Sequence, residues 1–377
     1  MKNIVRIGLV FDARYGNNRD IVRGVIAFAR SQGLAWIFTG GVSSAQTWQM
    51  LRRWHPSGIV GTVPPGAMPN NIPSVVPPNN VLMDNAIGRI AAEHLIERRF
   101  HHLAFVGEKG LLWSTRWAKG FQMCWKTKLA NHPDATFHRL DIARVQSGDW
   151  QPAGGKLTSW LRTLPKPVGI FASRDLCARK VSQACRMAGL HVPEDVAIVG
   201  TGNDDFLCEL MDPPLSSISV PWDQIGYQMG AQLHGLLQGR RRPKHFPTVV
   251  PISIQVRRSS EIYAVADEAL KRACRYMQDH AYEPQLNMEA VARTSGVSCR
   301  GLERRFHREL GRSPYAEIQR LRLERARQML RETSLPLTVI AERCGWSSVQ
   351  RFMAAFKARL GRTPGQFRLS GKFNALA

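Results

Sequence analysis

The chain has 377 residues, of which 44% are hydrophobic and 21% charged, and its formal net charge is +23. This length and composition suit two or three globular domains and exclude a disordered or low-complexity chain. The basic excess favours a polyanionic partner such as nucleic acid or an acidic membrane surface, although a soluble protein with a basic surface shows the same excess. Both parts of the chain are basic, and the C-terminal part has the higher density of charge.

The first 260 residues alternate between strand-like and helix-like segments, which predicts parallel sheets flanked by helices. The predicted strands are Ile4–Phe11, Trp36–Thr39, Gly58–Val63, Leu103–Val106, Gly169–Ala172, Val196–Gly200 and Val249–Val256. The predicted helices include Arg19–Ser31, Asn85–Arg98, Leu176–Ala188 and Ile225–Leu237. The apolar run at Ile7–Phe11 is too short for a signal peptide, and no apolar stretch reaches transmembrane length. We therefore expect a soluble cytoplasmic protein.

The alternation stops at a polar run, Arg257-Arg258-Ser259-Ser260, after which every periodic segment is helical. This change predicts an α/β domain over residues 1–260, a linker over 261–270 and an all-α domain over 271–377. The seven cysteines are scattered, with no Cys-x-x-Cys pair, so the sequence predicts neither a disulfide framework nor a zinc site. His101-His102 beside acidic residues is more typical of a surface than of a metal site, and we expect no metal or cofactor.

The helical part contains an internal repeat. One copy reads Val291-Ala-Arg-Thr-Ser-Gly296-Val-Ser298 and ends at Leu310-Gly311-Arg-Ser-Pro314. The other reads Ile340-Ala-Glu-Arg-Cys-Gly345-Trp-Ser347 and ends at Leu360-Gly361-Arg-Thr-Pro364. The glycines of the turn lie 49 residues apart and those of the closing motif 50, so the second copy carries one extra residue after its first glycine.

Each copy has the pattern of a helix-turn-helix, over about 286–310 and about 336–360. Glycine takes the positive φ of a tight turn, and the following serine can cap the next helix. The first such helix exposes Arg300, Glu303, Arg304 and Arg308, which suits the major groove of DNA. A basic helix over Pro314–Thr333 would hold the two units at a fixed spacing. A single helix-turn-helix also occurs in many enzymes, but two copies in phase favour DNA binding.

Residues from about 270 to 369 resemble the AraC-family DNA-binding domain. The matching motifs are Leu302-Glu-Arg-Arg-Phe306, Gly311-Arg-Ser-Pro314, Arg322-Leu-Glu-Arg-Ala326, Ile340-Ala341, Gly345-Trp346, Phe352, Phe356-Lys357, Gly361-Arg-Thr-Pro364 and Phe367-Arg368. The resemblance implies base contacts from Arg300, Glu303 and Arg304 in the first recognition helix. In the second it implies Gln350 and Arg351, with Ser348 at a phosphate. Trp346, Phe367 and Ala354 depart from the family's usual residues.

The first 260 residues resemble the ligand-binding half of LacI-type regulators. The matching stretches are Leu82-Met-Asp84-Asn85, Ala91-Ala92-Glu-His-Leu95-Ile96, Ala118-Lys-Gly120-Phe121, Phe171-Ala172, Asp175, Ala178, Gly189 to Gly200, and Pro214-Leu-Ser-Ser-Ile218. The resemblance implies the periplasmic sugar-binding fold, in which two α/β lobes close over a small ligand. Fusion to an AraC-type domain is typical of regulators of sugar catabolism and implies a pentose effector, foremost D-xylose.

Binding residues of this fold lie on loops at the carboxyl ends of strands, where charged, amide and indole side chains suit a sugar. The candidates are Asp12, Arg19, Trp113, Arg116, Asp175 and Asn203. Each has an ordinary structural alternative: Arg19 as the start of a helix, Arg116 in a surface ion pair, and Trp113 as core. Gly202 stands where sugar sensors of this type usually carry Asp, with Asp204 nearby, and Trp117 stands where LacI relatives often have Arg.

The sequence thus predicts a sugar-responsive transcription regulator that is a homodimer, binds operator half-sites in double-stranded DNA, and activates transcription with RNA polymerase. No nucleophile elbow, zincin motif or P-loop supports an enzyme. Two alternatives remain: a cytoplasmic sugar-binding protein, and a sensor of another monosaccharide whose tail regulates a different operon. A transport binding protein shares the first fold, but not the DNA-binding tail.

Overall fold

The computed structural model describes residues 4–69, 71–77, 85–146, 154–241 and 253–373. The chain divides into two compact units, one of residues 1–96 and 101–260, the other of residues 97–100 and 261–377. The motif residues Leu82, Met83 and Asp84 and the first part of the strand predicted over Val249–Val256 lie outside the described residues. None of the helices within the described ranges is long and apolar enough to cross a bilayer.

The first unit is built from two sheets, mostly of parallel strands, that are flanked by helices. Its elements in chain order are β1 (Val5–Val10), α1 (Gly16–Ser31), β2 (Trp36–Gly41), α2 (Ala45–Trp54), β3 (Gly58–Gly61), β4 (Ser74–Val75), α3 (Ala86–Glu97), β5 (His102–Glu108), α4 (Leu112–Leu129), β6 (Phe137–Ile142), α5 (Gly155–Thr163), β7 (Val168–Ala172), α6 (Asp175–Ala188), β8 (Val196–Thr201), α7 (Asp205–Leu210), β9 (Ser216–Ser219), α8 (Trp222–Leu237) and β10 (Ser253–Gln255).

The two sheets define two lobes. The first sheet has the strand order β2-β1-β3-β4, and the second has the order β10-β9-β8-β7-β5-β6. All described pairs are parallel except β10 with β9. Strands β7 and β8 are buried along their whole length because helices cover both faces of a parallel sheet. Their hydrophobic side chains form one core with those of α5 and α6.

Helices α1 and α8 pack closely because each has a glycine at the crossing. A Cβ atom on Gly24 would overlap the carbonyl oxygen of Asp223, and one on Gly226 would overlap that of Ile21. Helix α8 follows β9 of the second sheet, yet it packs on α1 and β3 of the first lobe. The chain therefore returns to its first lobe through Val220 and Pro221, which is the crossing pattern of a two-lobed domain.

The second unit is entirely helical. Its helices are α9 (Glu268–His280), α10 (Met288–Ser295), α11 (Cys299–Leu310), α12 (Pro314–Glu332), α13 (Leu337–Arg343), α14 (Val349–Leu360) and α15 (Pro364–Phe373). Two hydrophobic cores share α12: Ile318 and Leu321 belong to the core around Phe306, whereas Leu323 and Leu330 belong to the core around Phe356. The two repeats are thus two small folded units joined by one continuous helix.

The predicted fold class, an α/β domain followed by helix-turn-helix units, is confirmed. Every predicted strand whose residues are described is present, and the basic helix expected over Pro314–Thr333 is α12. Strands β4, β6 and β9 were not predicted. Strand β9 reads Ser-Ser-Ile-Ser, a polar sequence whose buried serines hydrogen-bond to backbone and side-chain groups. Helix α9 begins at Glu268, inside the segment predicted to be a linker.

Replacing Gly24 with Ala tests the close packing of α1 on α8. The added methyl group would overlap a backbone carbonyl, so we expect the free energy of unfolding to fall by about 1–3 kcal/mol. Urea unfolding followed by tryptophan fluorescence measures this loss. Gly155→Ala is the matched control, since a Cβ there meets no atom within 4 Å. Equal stability of the two variants would contradict the packing described here.

Candidate ligand cavity and nucleic-acid interface

A cavity of about 340 Å³ lies in the first unit, where residues of both lobes meet. Residues 14–18, between β1 and the first turn of α1, line it from the first lobe. From the second lobe come the start of α6 after β7 and the segment that ends β8. These are the carboxyl ends of parallel strands, where helices begin and backbone N–H groups point outward, so this is the edge at which a ligand is expected.

Asp175 starts α6 and is buried at the wall of the cavity. Its carboxylate accepts a hydrogen bond from the Ser217 hydroxyl (2.5 Å) and another from the backbone N–H of Asp204 (2.9 Å). Burial raises the pKa of Asp175 to about 6, although both hydrogen bonds act in the opposite direction. Asp175 therefore organises the cavity wall.

Asp204 connects the two lobes. Its carboxylate accepts from the backbone N–H of Gly16 at the start of α1 (3.0 Å) and from the Arg19 guanidinium (3.3 Å). The same group caps α7 through the N–H of Leu207 (3.4 Å). A side chain on Gly16 would collide with this carboxylate, so only glycine allows the contact. A carboxylate at two helix starts is also favoured by the helix dipoles.

Arg174 occupies the middle of the cavity wall beside two aromatic rings. Its Nε and Nη2 atoms donate to the buried carboxylate of Glu108 at 2.7 and 2.6 Å, and Nη2 also donates to the carbonyl of Val145. The guanidinium lies 5.8 Å from the ring centre of Tyr15 and 5.9 Å from that of Trp113. The edge of the guanidinium that carries Nε and Nη2 is held by Glu108, whereas Nη1 makes no hydrogen bond within the described part of the chain.

Two polar atoms that line the cavity have no hydrogen-bond partner among the described residues. They are Oγ1 of Thr201, a residue 3% exposed, and Nε1 of Trp222, a residue 7% exposed. Leaving a buried polar group unpaired costs about 1–3 kcal/mol, so such atoms mark places where a ligand or water completes the site.

Of the six predicted ligand residues, the structure places Trp113 and Asp175 in the cavity wall. Arg19 lies just behind the wall, where it donates to Asp204 and to the carbonyl of Ala13. Asp12 pairs with Arg14, and the hydrogen bonds from this guanidinium hold the pKa of Asp12 below its usual range. Neither Asp12 nor Arg19 is among the lining residues.

Two predictions are not supported by the geometry. Asn203 has a positive φ of 50°, which turns its side chain away from the cavity: Oδ1 accepts from Arg257 (2.9 Å) and Nδ2 donates to Asp205 (3.3 Å). Arg116 is exposed on α4, whereas its neighbour Trp117 is buried and lines the cavity. The helix phase therefore directs Trp117 inward and Arg116 to solvent.

Sequence reasoning missed Tyr15, Arg174 and Trp222. The position of Arg174 at the end of a strand could have identified it, because it stands immediately before Asp175 and just after β7. In the pair His101-His102, His101 stacks on His132, and His102 hydrogen-bonds to Thr136. Within the described residues, no group of three or more His, Cys, Asp or Glu side chains could hold a metal ion.

In the second unit, each repeat forms a helix-turn-helix. Helix α10 ends at Gly296 (φ 73°), and the Ser298 hydroxyl accepts from the N–H of Gly301 to cap α11 (3.1 Å). The turn after α13 uses Gly345 (φ 79°) in the same way. Its serine differs from the expected one: Ser348, not Ser347, caps α14 through the N–H of Arg351 (3.3 Å). Ser347 is the extra residue of the second copy.

Helices α11 and α14 expose one face each, and the two faces differ chemically. The predicted residues Arg300, Glu303, Arg304 and Arg308 are all exposed on α11, as are Gln350 and Arg351 on α14. Glu303, Arg304 and Arg308 correspond to Met353, Ala354 and Ala358, which are also exposed. At these three positions the first face therefore offers charged groups to DNA, and the second offers apolar ones.

The arginines of α12 stabilise the fold. Arg320 pairs with the buried carboxylate of Glu317 (2.6 Å), and the Tyr263 hydroxyl donates to the same carboxylate (2.5 Å). Arg322 is buried and donates to the carbonyls of Ala281 and Glu283. Much of the basic charge of this helix is therefore committed within the unit, and the exposed face of α11 is the better candidate for DNA.

Comparisons with known proteins agree with this division. Residues 92–260 match the periplasmic binding protein-like domain family, and residues 291–370 match a helix-turn-helix domain family. The xylose operon regulatory protein of Escherichia coli (strain K12) is 29% identical, and the alignment covers 96% of each chain. That of Haemophilus influenzae is 29% identical over 77% of this chain and 74% of the relative.

One solved structure is similar over nearly the whole chain. The structure of a xylose-binding transcription activator has a TM-score of 0.55 and 27% identity, with 98% of this chain and 99% of that chain covered. The chain is thus a DNA-binding transcription regulator, not an enzyme, with a periplasmic binding protein-like domain before an AraC-type helix-turn-helix domain. Over almost its full length it is a relative of the xylose operon regulatory proteins.

Replacing Asp175 with Asn tests its burial. The folded-state pKa of Asp175, about 6, lies above its ordinary value of 3.8, so folding favours the protonated form. Its contribution to stability is full below about pH 4 and is lost as the pH rises through about 6. We expect the stability of the wild type, relative to Asp175→Asn, to fall over this range in urea unfolding at a series of pH values.

Asp12→Asn is the matched control for this titration. The pKa of Asp12 is lowered by Arg14, so its contribution is present above the unfolded value and is lost as the pH falls below about 4. The two variants should therefore show opposite trends. Parallel curves for the wild type and Asp175→Asn between pH 4 and pH 7 would show that Asp175 is not buried as described.

Proposed function

We propose that residues 1–260 sense a monosaccharide between the two lobes, and that residues 271–377, after the linker 261–270, bind double-stranded DNA. The two helix-turn-helix units, about 286–310 and 336–360, read operator half-sites and regulate sugar catabolism as an activator. The proposal rests on one observation: the same chain has a cavity between two lobes and two helix-turn-helix units whose cores share α12. The names of the relatives make D-xylose, or a related pentose, the first effector to test.

The proposed mechanism is a shift between two arrangements of the sensing domain. A ligand that contacts both lobes binds the closed arrangement more tightly, and this difference in affinity alone sets how far the equilibrium moves. In a homodimer, the shift would change the placement of the paired DNA-binding domains on tandem half-sites. We propose that the dimer acts in the cytoplasm and recruits RNA polymerase.

We propose that Arg300, Glu303, Arg304 and Arg308 of α11 and Gln350 and Arg351 of α14 contact DNA. Arginine pairs with the O6 and N7 atoms of guanine, and glutamine with adenine. Ser348 caps α14 at its start, and a helix start of this kind suits a phosphate. Arg308 also bonds to Glu309 (2.7 Å), so it would have to exchange this partner on binding.

A second candidate function, sensing of a different monosaccharide to regulate another operon, is supported by the arginine-rich lining of the cavity. We propose Trp113 and Asp175 as ligand-binding residues, since both line the cavity. Asp12, Arg19, Arg116 and Asn203 lie outside the lining and would contribute to ligand binding only after a rearrangement.

Replacing Arg304 with Ala tests the DNA interface. Loss of one base or phosphate contact should weaken binding to a duplex selected by the wild type by about 1–3 kcal/mol and lower the salt dependence of the affinity. Fluorescence anisotropy at several salt concentrations measures both effects. Arg30→Ala removes the same charge from an exposed position at the end of α1 and is the control. Equal losses in both variants would mean that only net charge matters.

Ligand binding should change the tryptophan emission, because Trp113, Trp117 and Trp222 all line the cavity. Titration with pentoses and hexoses, followed by fluorescence and calorimetry, identifies the effector. Trp113→Ala should weaken the affinity for the effector at least about tenfold by removing a flat apolar surface, and it should leave DNA affinity without ligand unchanged. Unchanged ligand affinity would show that the sugar binds elsewhere.

A further inference from the structure

We propose that the two helix-turn-helix units read half-sites of unlike base composition: α11 selects G·C pairs, whereas α14 selects A·T pairs through the methyl groups of thymine. Gln350, Met353 and Ala354 are then the specificity-determining residues of the second half-site. The inference rests on the proposed function, since it takes α11 and α14 as the helices that read DNA. It adds which base pairs each of them selects.

Helices α11 and α14 match residue for residue, so their exposed faces can be compared position by position. Each helix has 12 residues, begins after a capping serine and ends at a glycine with positive φ. Leu302 and Phe306 of α11 are buried, as are Phe352 and Phe356 at the matching positions of α14. Because the buried faces coincide, the faces turned to solvent coincide as well.

The solvent face of α11 carries charged side chains. Arg300, Glu303 and Arg304 are exposed, and their side chains form no hydrogen bond or ion pair within the described part of the chain. Residues three and four apart lie on one side of a helix, so these three form one surface. Arginine binds O6 and N7 of guanine, and glutamate accepts from the amino group of cytosine. This surface therefore favours G·C pairs.

The same face of α14 has a different chemistry. At the three matching positions it carries Gln350, Met353 and Ala354, all of them exposed. Met353 is not part of either hydrophobic core of the unit, so its side chain is available for a contact. Glutamine pairs with N6 and N7 of adenine, and apolar side chains contact the C5 methyl group of thymine. This surface therefore favours A·T pairs.

An apolar side chain also acts against G·C pairs. Met353 or Ala354 would cover O6 of guanine or the amino group of cytosine without offering a hydrogen bond. A polar group that loses water and gains no partner raises the free energy of the complex. The methyl group of thymine loses no hydrogen bond in the same contact, so the two residues both favour A·T pairs and disfavour G·C pairs.

The basic residues of α14 supply the attraction to DNA that its apolar strip lacks. The helix contains no acidic residue, and Arg351 and Lys357 are exposed. Arg351 lies about 100° round the helix from Gln350, at the flank of the strip, and Lys357 follows one turn after Met353. Cations beside a reading face bind phosphates, which positions the helix without selecting bases. Base selection by α14 is thus left to the strip.

Selection of duplexes from a random pool by the full-length chain tests the inference. We expect bound duplexes to share one half-site with selected G·C pairs and a second with selected A·T pairs. Replacing dT by dU in the second half-site removes the methyl groups and keeps the base pairing. Fluorescence anisotropy should then show an affinity about fourfold lower for each contacted thymine. The same replacement in the first half-site should change the affinity less than about twofold.

A transplant of the first face onto the second helix tests the assignment to residues. The variant Gln350→Arg, Met353→Glu, Ala354→Arg gives α14 the reading residues of α11, and all three positions are exposed, so the core is untouched. We expect its selected duplexes to have G·C pairs in both half-sites and to lose the effect of dU. Met187→Glu, at an exposed methionine of α6, is the control and should select the same duplexes as the wild type.

The outcomes separate this inference from the proposed function. Specific duplexes whose two half-sites have the same composition overturn the inference and leave the proposed DNA reading intact. An affinity that dU does not change, or a transplant that still selects A·T pairs, also overturns it. Failure of the wild type to select any duplex overturns the proposed function together with the inference.

Discussion

The DNA-binding unit depends on α12, which supplies buried side chains to two separate hydrophobic cores. Leu321 belongs to the core of the first helix-turn-helix and Leu323 to the core of the second. Neighbouring turns of one helix cannot rotate independently, so each core fixes the orientation of the other. The buried Glu317 with its arginine partners adds a second constraint at the start of the same helix.

The fold was predictable where local patterns decide it. Buried parallel strands such as β7 and β8 are continuous apolar runs, and the turn glycines and capping serines of the repeats mark the helix boundaries. Strand β9 was not predictable, because Ser216 and Ser217 are polar yet buried; their partners, Ser259 and Asp175, lie about 40 residues away in sequence. The sequence also did not show that Ser348 caps α14, because it did not show where in the turn the extra residue of the second copy lies.

The site was predictable only in part, because strand ends show where a ligand binds but not which side chains face it. That argument found Trp113 and Asp175, yet it did not distinguish Arg116 from Trp117, one residue apart on α4. The pair of Arg174 with Glu108 joins residues 66 positions apart, and a single sequence carries no sign of it. Nor does it show that a positive φ turns Asn203 toward Arg257.

Ser347 shows how one residue can lengthen the turn of a helix-turn-helix without changing which residues of the next helix are buried or exposed. It lies in the turn before the cap of α14, so the helix after it keeps Phe352 and Phe356 buried and Gln350 and Arg351 exposed. An insertion inside the helix would instead rotate all following side chains by about 100° and expose the core. Related proteins can therefore vary the length of this turn, and with it the direction of the second helix, while keeping the same exposed residues on that helix.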